Sequence, residues 1–246
     1  MKHIRIKRSD RSDLGPLRVQ WLIFLIMCSL NDLKDLSGKK MMTLNNWVNS
    51  EQISEEKTKP FQADFSKNKP FPYLELPHFV KQDKIIKLLQ VLSTQEFSPH
   101  LSDLFQFSQT FDLLYSKDPL LQEFITVFSS PKMIAFMQKM TKIKLSGKID
   151  LFGSIYRDTD YLLPHDDQVP GRKIAFMLYL NDLDEQDGGA LALYDSKNKT
   201  PTKIVKRIIP KAGTAVFFEV SALSVHMVEE ILTDTQRITL SGWFYG

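Results

Sequence analysis

After Gly147 the chain breaks into seven short segments of β character, "IDLFGSIY", "KIAFMLYLN", "ALALYD", "KIVKRIIP", "TAVFFEV", "SVHMVEEI" and "RITLSGWFY", separated by Gly, Asp, Asn, Lys and Pro. Strands this short cannot each bury a face alone, so in succession they must share a sandwich or a barrel. The helical patterns come earlier. "KQDKIIKLLQVLST" predicts a helix with Ile85, Ile86, Leu89 and Leu92 on one face. Asp118 before Pro119 and Ser130 before Pro131 open two more, "PLLQEFITVF" and "PKMIAFMQKM", each with a capping residue and Pro in the first turn. "FPYLELPHFV" predicts a first strand. Helices gathered before a strand-rich block make the class α+β, with helices buttressing one face of a sheet.

The domain is expected to run from residue 71 to 246, a length one core can fill. Residues 31–70 are polar and read as a loose lead-in with a short helix around "TLNNWVNSEQ". Residues 1–30 pass from a basic stretch into the ten-residue apolar run "WLIFLIMCSL", short of the ~20 residues a membrane span needs. Basic-then-apolar order fits a secretory signal, but no small-residue cleavage site follows. A functional start at Met41 or Met42 is the other expectation.

Lys and Arg total 32 against 29 Asp and Glu, and a net charge of +3 gives no argument for direct nucleic-acid binding. Membrane contact is expected only through the apolar run. Cys28 is alone, so no internal disulfide can form. That points to the cytoplasm or nucleus, with the endoplasmic reticulum as the minority alternative. It also excludes a Cys-based zinc site and leaves any metal to carboxylates and the five histidines, His3, His78, His100, His165 and His226.

In "LLPHDDQVPGRKIAFMLYLN" a histidine and two aspartates stand directly before a buried-strand pattern. Carboxylates there need a partner, and a metal ion would serve. Residues two apart on a strand share a face, so His165 and Asp167 converge while Asp166 turns away. His226 lies far enough along to return on a neighbouring strand. Two imidazoles and one carboxylate are the set associated with non-haem iron(II) oxygenases. Arg237, inside "RITLSGWFY", needs an anion and grips carboxylates as a bidentate fork; a structural salt bridge is the plainer reading. Tyr179 could hydrogen-bond the same anion or be a core aromatic. Gly188 and Gly189 permit a tight turn and close backbone approach, or simply close a hairpin. Arg172 could meet substrate or a carboxylate behind the metal ligands, with the surface reading slightly ahead, and Asp166 reads as surface or substrate-facing.

Together "HDD..PGRKIAFMLYL", "GGALALYD", "AVFFEVS..SVHMVEEI" and "R.TLSGWFYG" resemble the 2-oxoglutarate and iron(II)-dependent prolyl hydroxylases, and among them the ribosomal-protein prolyl 3-hydroxylases. The resemblance covers residues 71–246 and implies a double-stranded β-helix, the jelly-roll or cupin-like core. It implies His165, Asp167 and His226 as iron ligands and Arg237 as the clamp on the distal carboxylate of 2-oxoglutarate. Tyr179 matches a tyrosine sharing that carboxylate, Tyr156 one near the cosubstrate, and Trp243 an aromatic of the same pocket. Implied with them are Fe(II), 2-oxoglutarate, O2 and ascorbate as reductant, and a prolyl substrate in small ribosomal subunit protein uS12. The coupled reaction would oxidise 2-oxoglutarate to succinate and carbon dioxide. Such relatives continue into a second, ligand-poor β-helix past the equivalent of Gly246, so docking or dimer contacts that depend on it are expected to be altered here. Two competing readings are a catalytically silent β-helix binding module and an endoplasmic reticulum collagen-type prolyl hydroxylase. Oligomeric state is left open.

Overall fold

A computed structural model describes residues 43–197 and 199–246. The basic and apolar stretches of residues 1–30, Cys28 and the start at Met41 or Met42 lie outside the described residues. Among the described residues no helix is long and apolar enough to cross a membrane.

The helical elements are α1 (Leu44–Trp47), α2 (Glu55–Lys67), α3 (Gln82–Leu92), α4 (Pro119–Phe128) and α5 (Pro131–Thr141). The capping logic holds at the last two. Asp118 accepts from the amides of Leu120 and Leu121, and Ser130 from that of Met133. In α3 the buried face is Ile85, Leu88 and Leu92, whereas Ile86 is 49% exposed. The face therefore sits one step round from the expected one: Leu88 and Leu92 are the i+3 and i+7 partners of Ile85, and Ile86 shares neither spacing.

Among the described residues eleven strands form one antiparallel sheet, ten of them on a single path. They are β1 (Tyr73–Leu76), β2 (Phe97–Ser102), β3 (Phe105–Thr110), β4 (Ile149–Tyr156), β5 (Tyr161–His165) and β6 (Arg172–Tyr179), then β7 (Leu191–Lys197), β8 (Thr200–Ile208), β9 (Ala215–Glu219), β10 (His226–Val228) and β11 (Arg237–Tyr245). Their order is β1-β9-β6-β11-β4-β3-β5-β10-β7-β8, with β2 paired to β3. The sheet curls on itself, giving it an outer and an inner face. All seven strand segments expected after Gly147 are present; β5 and the β2–β3 hairpin are additional.

Period-two alternation decides what each face carries. From β6, Ile174, Phe176 and Leu178 face the helices and join Phe124, Phe128 and Met137 in the main core. Ala175, Met177 and Tyr179 face inward with Val216 and Phe218 of β9. On β11, Leu240 and Phe244 belong to the helix side. Arg237, Thr239, Ser241 and Trp243 line the inner cavity.

Residues of the expected lead-in pack with the block from residue 71, since the compact unit is Thr43–Gly246. Trp47 is fully buried in the main core with Leu44, Val48 and Phe65. Its Nε1 donates to Glu123, which also pairs with Lys84 at 3.1 Å, and Lys84 lies 4.5 Å over the indole. Few apolar residues stand in this polar stretch, but tertiary contacts fix them.

Candidate metal centre

β5 and β10 are antiparallel neighbours, with His165 directly opposite His226. Cross-strand pairing brings the two rings to 4.2 Å between centroids. His165 Nδ1 lies 2.9 Å from the Leu163 carbonyl and His226 Nδ1 2.7 Å from that of Ser224. A carbonyl only accepts, so each Nδ1–H donates outward and each Nε2 is turned to the common centre.

Asp167 meets them there, but not by strand alternation. β5 ends at His165, and Asp167 lies past it in the left-handed region at φ +58°. Aspartate tolerates this conformation better than most residues, and such backbone recurs at functional sites. The turn brings Oδ1 to 3.5 Å from His165 Nε2 and Oδ2 to 3.4 Å from His226 Nε2. One ligand atom from each residue lies within 4.8 Å of the others.

Burial would push the Asp167 carboxyl up, but hydrogen bonds from His165 and His226 outweigh it and hold the group far below the usual carboxylate range. Burial pulls His165 down, and the hydrogen bond and charge of Asp167 raise it above its ordinary value. A proton thus does part of what a cation would do. Two imidazoles and a carboxylate suit a divalent iron centre.

A cavity of about 270 Å³ joins this cluster to Arg237. Arg237 is 1% exposed, enters no ion pair among the described residues, and has a buried Nε without a hydrogen-bond partner. Its Nη2 reaches the Met177 sulfur, at 3.6 Å. The rings of Tyr156 and Tyr179 flank the guanidinium carbon at 5.2 and 5.3 Å. The structural salt bridge allowed by the sequence is therefore absent among the described residues. A buried cation so placed fits an anionic ligand, and its fork fits a carboxylate.

Six of the seven expected site residues border the cavity; Tyr179 does not. It packs against Arg237, fully buried, and its hydroxyl has no hydrogen-bond partner among the described residues. Burial pushes both Tyr156 and Tyr179 up, against the pull of Arg237, and both stay neutral donors. Trp243 does more than line the wall, since its Nε1 donates to Asp167 Oδ2 at 3.2 Å.

Two residues read as surface differ. Arg172 covers the Trp243 ring, its guanidinium carbon 3.4 Å from the ring centroid. Asp166 is half-buried and pairs with Lys199 at 3.5 Å. Gly188, at φ +73°, makes the expected close approach: a Cβ there would lie 2.0 Å from the Glu230 carbonyl oxygen.

The hairpin β2–β3 supplies four further wall residues, His100, Phe105, Phe107 and Gln109. His100 stacks on Phe107 at 5.4 Å and Phe107 on Tyr156 at 5.0 Å. Alternation in "FQFSQT" was the available signal; Pro99 and the exposed course of β2 mask it.

Residues 151–245 match the 2OG-Fe(II) oxygenase superfamily. Prolyl 3-hydroxylase OGFOD1 of Mus musculus is 39% identical over 181 residues, covering 72% of this chain and 33% of that protein. Prolyl 3-hydroxylase sudestada1 of Drosophila melanogaster is 30% identical over 190 residues, covering 72% and 35%. The chain thus spans about a third of the length of these relatives. In fold it is similar to a Pseudomonas putida prolyl-4-hydroxylase, with a TM-score of 0.60 at 18% identity, covering 75% of this chain and 98% of that one. A Trichoplax adhaerens prolyl hydroxylase in complex with a hypoxia inducible factor peptide gives 0.61 at 14% identity, covering 80% and 93%. The structure shares the curled double-stranded β-helix of both neighbours, and residues 151–245, from β4 to β11, form a 2OG-Fe(II) oxygenase domain.

Proposed function

We propose that this chain carries the catalytic domain of a dioxygenase that hydroxylates a prolyl residue in a protein, with small ribosomal subunit protein uS12 as substrate. One observation carries the reading: a buried, unpaired Arg237 shares a cavity with the His165, Asp167 and His226 cluster. An oxygenase that uses a 2-oxo dicarboxylic acid needs both features together. Support for the prolyl substrate comes from relatives named as prolyl 3-hydroxylases.

In this reading His165, Asp167 and His226 hold iron(II), which supplies the oxidising chemistry with 2-oxoglutarate and dioxygen, and ascorbate keeps it reduced. Arg237 binds the distal carboxylate of 2-oxoglutarate through its fork, and Tyr179 and Tyr156 hold the guanidinium between their rings. Trp243 restrains Asp167. The apolar wall of Phe105, Phe107 and Phe218 excludes water from the reacting C–H. The lone Cys28 supports a reducing compartment, the cytoplasm or nucleus.

The test incubates the full chain with iron(II), 2-oxoglutarate, ascorbate and a uS12 peptide. Mass spectrometry should find one added oxygen on a prolyl residue, with succinate released. Succinate formation without peptide oxidation would refute the uS12 assignment. Equal succinate from wild type and Asp167→Ala would refute the oxygenase reading.

A further inference from the structure

We propose that Arg172 positions Asp167 by way of the Trp243 indole, an inference that rests on reading His165, Asp167 and His226 as the iron ligands. Asp167 stands in a turn outside regular strand pairing, so backbone hydrogen bonds of a ladder do not fix its carboxylate. The side-chain donor other than the two histidines that reaches it is the indole N–H, 3.2 Å from Oδ2. Where that indole points therefore decides where the carboxylate points.

The indole is held on two sides. Phe152 meets it edge-on at 6.1 Å between centroids, and the Arg172 guanidinium covers its face at 3.4 Å. Local backbone makes this possible. Gly171, at φ +89°, packs so closely on Tyr245 that a Cβ would stand 3.1 Å from the ring. Arg172 then pairs with Tyr245 where the β6–β11 register shifts.

A charge-balancing role for Arg172 fits the surroundings less well. Asp150 is a nearby acid on the same cavity-facing side, and it accepts from the Tyr245 hydroxyl at 2.8 Å. Yet Arg172 enters no ion pair among the described residues, and both Arg172 Nε and Asp150 Oδ1 are buried without a hydrogen-bond partner. A guanidinium centred 3.4 Å over a ring, with no ion pair among the described residues, is placed to orient that ring. Stacking needs the planar group, so lysine cannot replace it.

The test uses the full chain and Co(II) as probe, with affinity from calorimetry and coordination from the d–d absorption. Trp243→Phe keeps a ring for the guanidinium but loses the N–H; it should weaken Co(II) binding about tenfold and change the spectrum. Arg172→Met and Arg172→Lys should each weaken binding several-fold in the wild-type background and have no further effect in Trp243→Phe. Melting curves of the metal-free variants check that each is folded, and Arg172→Lys, which keeps the charge and the aliphatic stem, carries the Arg172 arm if Arg172→Met is not. Wild-type affinity and spectrum in Trp243→Phe, equal losses from Arg172→Met in both backgrounds, or full rescue by Arg172→Lys would each overturn the positioning role. Separately, Co(II) binding that Asp167→Ala leaves unchanged would overturn the iron-site reading and the positioning role with it.

Discussion

Replacing Arg237 by Met should separate stability from ligand binding, because the guanidinium is buried without an anion of its own. Had Arg237 been paired, truncation would strand a carboxylate and cost about 3–5 kcal/mol. Here the substitution removes a desolvated charge and forfeits ring contacts to Tyr156 and Tyr179, at 5.2 and 5.3 Å, and the weak Nη2 contact with the Met177 sulfur at 3.6 Å. Such contacts contribute about 0.5–2 kcal/mol. The net change in folding free energy should therefore stay under about 2 kcal/mol, and relief of the buried charge could make it stabilising. Binding of 2-oxoglutarate loses two charge-assisted hydrogen bonds of about 1.5–3 kcal/mol each, or roughly two to four decades in Kd. Urea unfolding without ligand, and calorimetric titration of 2-oxoglutarate onto the Mn(II)-loaded chain, give the two numbers. A variant that loses more than about 3 kcal/mol of stability while binding 2-oxoglutarate as wild type does would refute the reasoning.

The metal-free chain should lose stability as pH rises. His165 titrates above its ordinary 6.5, so its contribution is complete below that value and disappears as pH climbs through the raised one. Asp167 titrates below its ordinary 3.8, so its contribution is present above 3.8 and is lost on acidification. Metal reverses the alkaline trend because coordination needs deprotonated imidazoles; melting temperatures with and without Mn(II) across the His165 range should diverge as pH increases, and parallel curves would count against this. Gly188→Ala forces a side chain into a backbone region near φ +73°, ψ −148° and against the Glu230 carbonyl. It should cost about 3 kcal/mol, read as a lower urea midpoint at unchanged slope. Trp47→Ala should cost about 3–5 kcal/mol in the same assay, and a loss under about 1 kcal/mol would show that residues 43–70 are not part of the folding unit.

The sequence carried the strands of the curled sheet well, because each of the seven segments after Gly147 alternates or runs apolar between clear breakers. It carried α4 and α5 equally well through Asp118 and Ser130, whose capping is local chemistry. What it concealed was tertiary. α1 has four residues and is too short to form alone, so nothing local announces that Trp47 anchors the core. The convergence of His165 and Asp167 was legible, but alternation was the wrong cause: the positive φ of Asp167 depends on the turn after β5, which periodicity does not encode. Arg172 illustrates the same gap, since a cation between two strands reads as surface until the ring it covers is known.

The alternation of β6 and β11 also explains how the chain tolerates so many unsatisfied groups. Helix-facing residues such as Phe176, Leu178, Leu240 and Phe244 are apolar and fully packed. The orphaned Arg237 Nε and Tyr179 hydroxyl belong to inward-facing residues of these same two strands. A slip of one residue would exchange the sets, burying Arg237 and Trp243 under the helices. That exchange is resisted at Gly242, where a Cβ would come within 1.9 Å of the Asp150 carbonyl oxygen, so a residue with a side chain cannot occupy that place in the ladder. The packed face thus holds the register that keeps Arg237 on the cavity side, where a ligand can satisfy it.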